Sequence, residues 1–139
     1  MTQTLRDVMT DRIVTVPSTA SLVDASKAMA DNDIGDVIVV EGDTVSGIVT
    51  DRDIVVRAIA NGSEPNTTTV REVVSGQVQT LTPDASVGDA VRMMADGAIR
   101  RIPVVEAGRP VGIVSIGDLA MERDSDSALA DISSANPNN

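Results

Sequence analysis

The sequence predicts an α+β protein made of one unit built twice, and two observations carry that expectation. Displacing the 139-residue chain by 65 positions lays it on itself without a gap. Thr4, Arg6 and Val8 fall on Thr69, Arg71 and Val73; Ala20, Ser21, Asp24 and Ala25 fall on Ala85, Ser86, Asp89 and Ala90. Met29, Ala30 and Asp31 then meet Met94, Ala95 and Asp96; Ile34 meets Ile99; Val39, Val40 and Glu41 meet Val104, Val105 and Glu106. Gly47, Ile48, Val49 and Asp53 meet Gly112, Ile113, Val114 and Asp118. A self-match of this length marks a duplicated structural unit. Within each copy, short β-branched runs bounded by turn residues alternate with a longer segment whose apolar residues recur at helical spacing, which mixes strands and helices in one unit.

The elements follow in order. TLRDVM and TVREVV open short helices, with Thr4 and Thr69 as caps and Asp7 and Glu72 three residues on. RIVTV and QVQTL are rich in β-branched residues and suit a short strand. Pro17 and Pro83 break the chain before SLVDASKAMADN and SVGDAVRMMADG, helices that bury Leu22, Ala25, Ala28 and Met29 in one copy and Val87, Ala90, Met93 and Met94 in the other. In a chain without aromatics the methionines are core filler. Ser21 with Asp24, and Ser86 with Asp89, have the spacing of a capping box. VIVV and IPVV are wholly apolar and suit strands buried on both faces. The turns EGDT and EAGR lead from them into VSGIV and PVGIV, so each pair makes a hairpin, and helices begin near Asp51 and Ile116. The first unit is thus expected over residues 1–60, a polar linker over 61–68, the second unit over 69–123 and a polar, partly disordered tail over 124–139.

Composition excludes several functions. Cys, His, Phe, Tyr and Trp are all absent. The chain therefore has no thiolate or imidazole ligand for a metal, no Cys/His or Ser/His/Asp triad, and no aromatic ring for a base to stack on. A net charge of −10 opposes nucleic acid. No apolar run is long enough to span a membrane and no secretory signal is evident, so a cytoplasmic location is expected. The charge is uneven. Residues 4–58 carry five basic and ten acidic side chains, residues 69–123 six and seven, so the second half is the better host for an anion.

The stretches GIVTDRD (47–53) and GIVSIGD (112–118) carry the functional question. Thr50 with Asp53 and Ser115 with Asp118 again have capping-box spacing, shared with the pairs that open at residues 4, 21, 69 and 86. Two features favour more than a cap. Each pair follows the last strand of a unit, at a strand's carboxyl edge, where free helix N–H groups favour anions. Each stretch also begins with a glycine that either lets a ligand or another backbone approach closely or relieves the twist of the hairpin. An aspartate just inside a helix can accept hydrogen bonds from a ribose diol, and the neighbouring hydroxyl can donate to a phosphate or ribose oxygen. Neither role moves a proton, so the pattern fits recognition rather than catalysis.

The duplicated unit, with G-apolar-x-[ST]-x-x-D closing each copy and VIVV or IPVV before it, resembles a tandem pair of CBS (cystathionine β-synthase) domains from Leu5 to Arg123. Ile38 stands where the second copy has the family's common Pro103, and Asp36 where it has Arg101. The resemblance implies two β-α-β-β-α units packed as a pseudo-two-fold pair, a Bateman module of the stand-alone prokaryotic kind that forms a homodimer. It further implies a non-enzymatic sensor that binds AMP, ADP or ATP in clefts between the units, with S-adenosylmethionine and NAD as other family ligands, and that signals to a regulated protein partner. No cofactor is required, and Mg²⁺ is left open. By position, Asp53 and Asp118 would hold ribose hydroxyls, with Thr50 and Ser115 beside the ribose or first phosphate. Val14 and Thr15, or Gln79 and Thr80, would line a base pocket with Ile34 or Ile99. Arg100 and Arg101 would face phosphates, their alternative being a solvated pair with snorkelling stems; their counterparts Gly35 and Asp36 cannot, which makes the two sites unequal. Arg52 and Arg57 are weaker phosphate candidates, with a solvated helix face the expected fate of Arg57. Two competing functions are a dimerisation or interaction module with decayed sites, and a Mg²⁺ phosphohydrolase built on Asp51 and Asp53. Against the latter, position 116 is Ile where Asp51 would repeat, and no base is in view.

Overall fold

A computed structural model describes residues 3–74 and 78–123, with side chains described to residue 120. The expected disorder of the tail lies outside these residues. The elements are α1 (Leu5–Val8), β1 (Thr15–Pro17), α2 (Leu22–Asn32), β2 (Asp36–Glu41), β3 (Thr44–Thr50), α3 (Asp51–Asp53), α4 (Val70–Val73), α5 (Val87–Gly97), β4 (Arg101–Glu106), β5 (Arg109–Ser115) and α6 (Ile116–Arg123). The α+β expectation holds. Among the described residues no helix is long and apolar enough to cross a membrane.

The two hairpins are copies in register. In one, Asp36 pairs with Thr50 and Glu41 with Thr44; in the other, Arg101 pairs with Ser115 and Glu106 with Arg109. The register shifts between Val39 and Val40, and between Val104 and Val105, at equivalent positions. VIVV and IPVV are buried as their composition predicts: Val37, Ile38 and Val39, and Ile102, Pro103 and Val104, have almost no exposed surface. The two turns differ in chemistry. Gly42 takes the positive φ of the first, whereas Ala107 and Gly108 both do so in the second, where an L side chain is strained.

The first strand of each copy comes out unequally. β1 pairs in parallel with β2 at Thr15–Ile38, Val16–Val39 and Pro17–Val40. Among the described residues of the strand expected at QVQTL, 78–81, there is a single parallel bridge, Leu81 to Val104, and Gln77 lies outside the described residues. Leu81 donates its N–H to the Pro103 carbonyl at 3.2 Å and accepts from Val105 at 2.8 Å. Pro103, where the other copy has Ile38, has no N–H to give a neighbouring strand, and this shortens the ladder.

Contacts divide the chain into two compact units, Ile13–Val78 and Met1–Arg12 with Gln79–Asn139. The opening helix of each sequence repeat therefore belongs to the unit built on the other repeat's hairpin. In the Met1–Arg12/Gln79–Asn139 unit, Leu5 donates to the Ala85 carbonyl at 2.9 Å, Arg6 to Pro83 at 3.0 Å, and Val87 to Gln3 at 3.2 Å. In the Ile13–Val78 unit the same three bonds recur as Val70 to Ala20 at 2.9 Å, Arg71 to Ser18 at 3.2 Å, and Leu22 to Thr68 at 2.9 Å. These bonds satisfy the first two N–H groups of α1 and α4 and the first of α2 and α5, which have no partner inside their own helices. Residues 64–68 are thus docked on the start of α2 rather than a free linker.

The helices after the hairpins also differ. α6 is regular, but α3 passes at once into a π-helical turn at Ile54–Ala58 and a 3₁₀ turn at Ile59–Asn61. Ile54, Val55 and Val56 are β-branched and crowd the preceding turn, whereas Leu119, Ala120 and Met121 in the equivalent positions are good helix formers.

Candidate functional site

Each hairpin hands its second strand to a helix through the hydroxyl-x-x-aspartate turn. Thr50 donates its N–H to Asp53 Oδ2 at 3.0 Å, and Asp53 returns its N–H to Thr50 Oγ1 at 3.0 Å. Ser115 donates to Asp118 Oδ2 at 2.9 Å and accepts from the Asp118 N–H at 3.2 Å. Both pairs are closed capping boxes, like those at Thr4, Thr69 and Ser86. Ser21 is the exception to the expectation. It accepts the Asp24 N–H at 3.0 Å, with no return bond from the Asp24 carboxylate, so α2 starts on a single cap.

The boxes leave chemistry over. Each hydroxyl uses a lone pair and keeps its proton to donate, and each carboxylate commits one oxygen to the backbone while keeping further acceptor sites. A donor beside an acceptor oxygen at a strand–helix junction matches the edge of a ribose diol.

One further bond brings the neighbouring positions in. The Gly35 carbonyl accepts the Asp51 N–H at 2.9 Å, and the Arg100 carbonyl accepts the Ile116 N–H at 2.9 Å. Each bond draws the segment ahead of the hairpin against the helix start. The ladder then sets Asp36 directly opposite Thr50 and Arg101 directly opposite Ser115, with side chains on one face. Ile34, Thr50 and Asp53 therefore gather in one unit, and Ile99, Arg100, Arg101, Ser115 and Asp118 in the other. Val14 and Thr15 lie one strand further out, the Val14 carbonyl accepting from the Ile38 N–H at 3.0 Å. Gln79 sits over the end of α5: a methyl on Gly97 would lie 2.9 Å from Gln79 Nε2 and 3.6 Å from Ile99 Cγ1. Thr80 precedes the Leu81 bridge. Ile99 also lines an apolar groove of about 300 Å³ between α5 and α6, with Val91, Met94, Ile116 and Leu119.

The glycines that open the two stretches admit the protein's own chain. A methyl on Gly47 would lie 2.5 Å from Val74 Cγ1, and one on Gly112 2.5 Å from Met9 Sδ and 3.0 Å from the Thr10 carbonyl oxygen. Their place is filled by the segments that follow α4 and α1.

Electrostatically the junctions are opposites. In one, Asp36 lies opposite Thr50 and Asp51 opens the helix; in the other, the same positions hold Arg101 and Ile116, and Arg100 stands where the first has Gly35. Asp51 Oδ1 accepts the Arg52 N–H at 2.8 Å, so this carboxylate caps the second amide of its own helix. Arg57, expected on a solvated face, is half exposed but reaches back, its Nε 3.5 Å from Asp53 Oδ1. The sequence carried the signal for that pair in its i,i+4 spacing. Among the described residues no three acidic side chains converge as a metal site.

Comparison with known proteins gives the same answer as the repeat. The family model described as CBS domain matches twice, at residues 5–59 and 70–124. The chain is 38% identical over 136 residues to the CBS domain-containing protein YhcV of Bacillus subtilis, covering 95% of this chain and 96% of that one. It is 35% identical over 118 residues to Hypoxic response protein 1 of Mycobacterium tuberculosis, covering 84% and 82%. Among solved structures, Hypoxic Response Protein I with two coordinated zinc ions superposes with a TM-score of 0.78 at 34% identity, covering 85% of this chain and 97% of that one. A CBS domain pair in complex with 5′-methylthioadenosine and S-adenosyl-L-methionine superposes with a TM-score of 0.80 at 26% identity, covering 91% and 100%.

Proposed function

The chain belongs to the CBS-domain family, and from that premise we propose that it is a non-enzymatic regulatory module that binds an adenine nucleotide of the AMP, ADP or ATP class. The observation that carries this is the pair of closed hydroxyl–aspartate boxes, each at the junction where a hairpin meets a helix. Asp53 and Asp118 take the ribose hydroxyls, Thr50 and Ser115 donate beside them, and Ile34 and Ile99 with Val14, Thr15, Gln79 and Thr80 give the base an aliphatic and backbone lining. Arg100 and Arg101 attract phosphate. Binding of adenosine compounds by a relative of this fold supports the ligand class. The roles ask for recognition alone, with no base or nucleophile.

Titration calorimetry with AMP, ADP, ATP, NAD and S-adenosylmethionine tests the proposal. Asp53→Ala and Asp118→Ala should each remove one site, and the double variant should bind nothing; unchanged affinity in the double variant would refute the ribose assignment. A ligand that binds must also raise the unfolding midpoint by mass action.

Self-association is the second part of the proposal. Val55, Val56, Ile59 and Ile116 are about half exposed on the helices that follow the two hairpins, a large apolar contribution for a surface. Solved relatives include hexameric CBS-CP12 proteins. Light scattering on the purified chain should give at least a dimer, and Val55→Glu with Ile59→Glu should return it to monomer.

A further inference from the structure

We propose that Asp51 is a selectivity carboxylate, which reserves the Asp53 junction for adenosines whose 5′ substituent carries no phosphate. The inference rests on the nucleotide reading above and divides its two sites by ligand charge. The two junctions share a backbone: the same capping box, the same carbonyl bond to the first helical amide, and the same cross-strand pairing. A difference in ligand must come from side chains.

Three equivalent positions change in one direction. Arg100 becomes Gly35, Arg101 becomes Asp36, and Ile116 becomes Asp51. Asp51 matters most because of where its carboxylate sits. Oδ1 accepts the Arg52 N–H at 2.8 Å, and Oδ2 lies 3.1 Å from where a methyl on Gly35 would be. The carboxylate thus fills the space between the helix start and the segment entering β2, and it takes the amide that an incoming anion would use. In the other unit this position is Ile116, whose side chain has no acceptor to offer the next amide. The cation paired with Asp53 does not reverse this. Arg57 is held on Asp53 Oδ1, so a ribose that takes that oxygen meets a carboxylate already balanced. A 5′-phosphate on that ribose would face the Asp51 charge at short range, whereas a neutral or cationic thioether or sulfonium substituent would not.

The test isolates the junction by using the full chain with Asp118→Ala, then adds Asp51→Asn. Asparagine keeps the acceptor for the Arg52 N–H and removes only the charge. Adenosine, 5′-methylthioadenosine and AMP are titrated into both proteins at low and high salt. In the Asp118→Ala protein, adenosine and methylthioadenosine should bind at least as tightly as AMP. Asp51→Asn should then improve AMP relative to adenosine by about tenfold, the scale of one like-charge contact at a protein–water boundary, and the gain should shrink as salt is added. An AMP preference in the Asp118→Ala protein, or an AMP-to-adenosine ratio that Asp51→Asn leaves unchanged, overturns the role of Asp51. No binding of any of the three to either protein or to the parent overturns the nucleotide reading itself, a separate result.

Discussion

Replacing the glycines that open the two stretches decides what they are for. In Gly112→Ala the new methyl would lie 2.5 Å from Met9 Sδ and 3.0 Å from both Met9 Cγ and the Thr10 carbonyl oxygen. Carbon needs about 3.5–4.0 Å from a non-bonded neighbour, so something must move. Met9 is flexible and can swing aside. Thr10 cannot, because its N–H and carbonyl are both paired with Ile113 at 2.9 Å. Overpacking by one methyl costs about 1–3 kcal/mol, and loss of one backbone bond adds about 1 kcal/mol, so the expected penalty is about 2–4 kcal/mol. Gly47→Ala meets one close atom, Val74 Cγ1 at 2.5 Å, with the other two at 3.7 Å. A shift of the Val74 side chain relieves it, for about 1 kcal/mol. Since the chain has neither Trp nor Tyr, urea unfolding is followed by far-ultraviolet circular dichroism. Val74→Ala should cancel the Gly47→Ala penalty, whereas Met9→Ala should cancel only part of that of Gly112→Ala. Equal penalties for the two glycines, or complete rescue by Met9→Ala, would refute the reasoning. Alanines that left stability untouched while weakening nucleotide binding would return both glycines to the ligand.

Leu5→Ala removes a fully buried side chain of α1 and should cost about 2–5 kcal/mol. Because α1 belongs to the unit that holds β4 and β5, hydrogen exchange should quicken there and leave β2 and β3 unchanged. Thr50→Ala and Ser115→Ala each delete a cap and should cost about 0.5–2 kcal/mol in urea unfolding. Glu72 is held below the ordinary carboxylate range by the Thr69 backbone N–H and then by the Thr69 hydroxyl. A carboxylate with a lowered folded-state pKa contributes stability above its unfolded pKa and loses it as the pH falls through the folded value. Glu72→Gln should therefore lower the thermal midpoint at neutral pH, with the gap to the parent closing below the ordinary carboxylate pKa of about 4.3.

The amino-acid order alone determined the repeat, the hairpins, the long helices and the caps, because each depends on local spacing. Apolar runs specify buried strands, i,i+3 hydroxyl–carboxylate pairs specify helix starts, and composition removes His and Cys chemistry outright. The unequal charge of the two halves was likewise legible, as Arg100 and Arg101 against Gly35 and Asp36. Only the tertiary structure decided which segments share a core. The repeat assigns residues 4–8 to the first copy, yet α1 packs in the unit of the second, since the alignment of a repeat is silent about which copy a helix covers. The same holds for QVQTL, where β propensity predicts a strand but Pro103 offers no N–H, and only the bridge at Leu81 forms among the described residues. It holds also for the glycines at 47 and 112, where sequence left ligand, backbone and hairpin twist open, and the structure places the Val74 and Met9 side chains against them. Asp51 shows the physical reason. Its place in the sequence offered it as a phosphohydrolase candidate or a first-turn acid, and only folding brings its carboxylate against Gly35, a residue sixteen positions away.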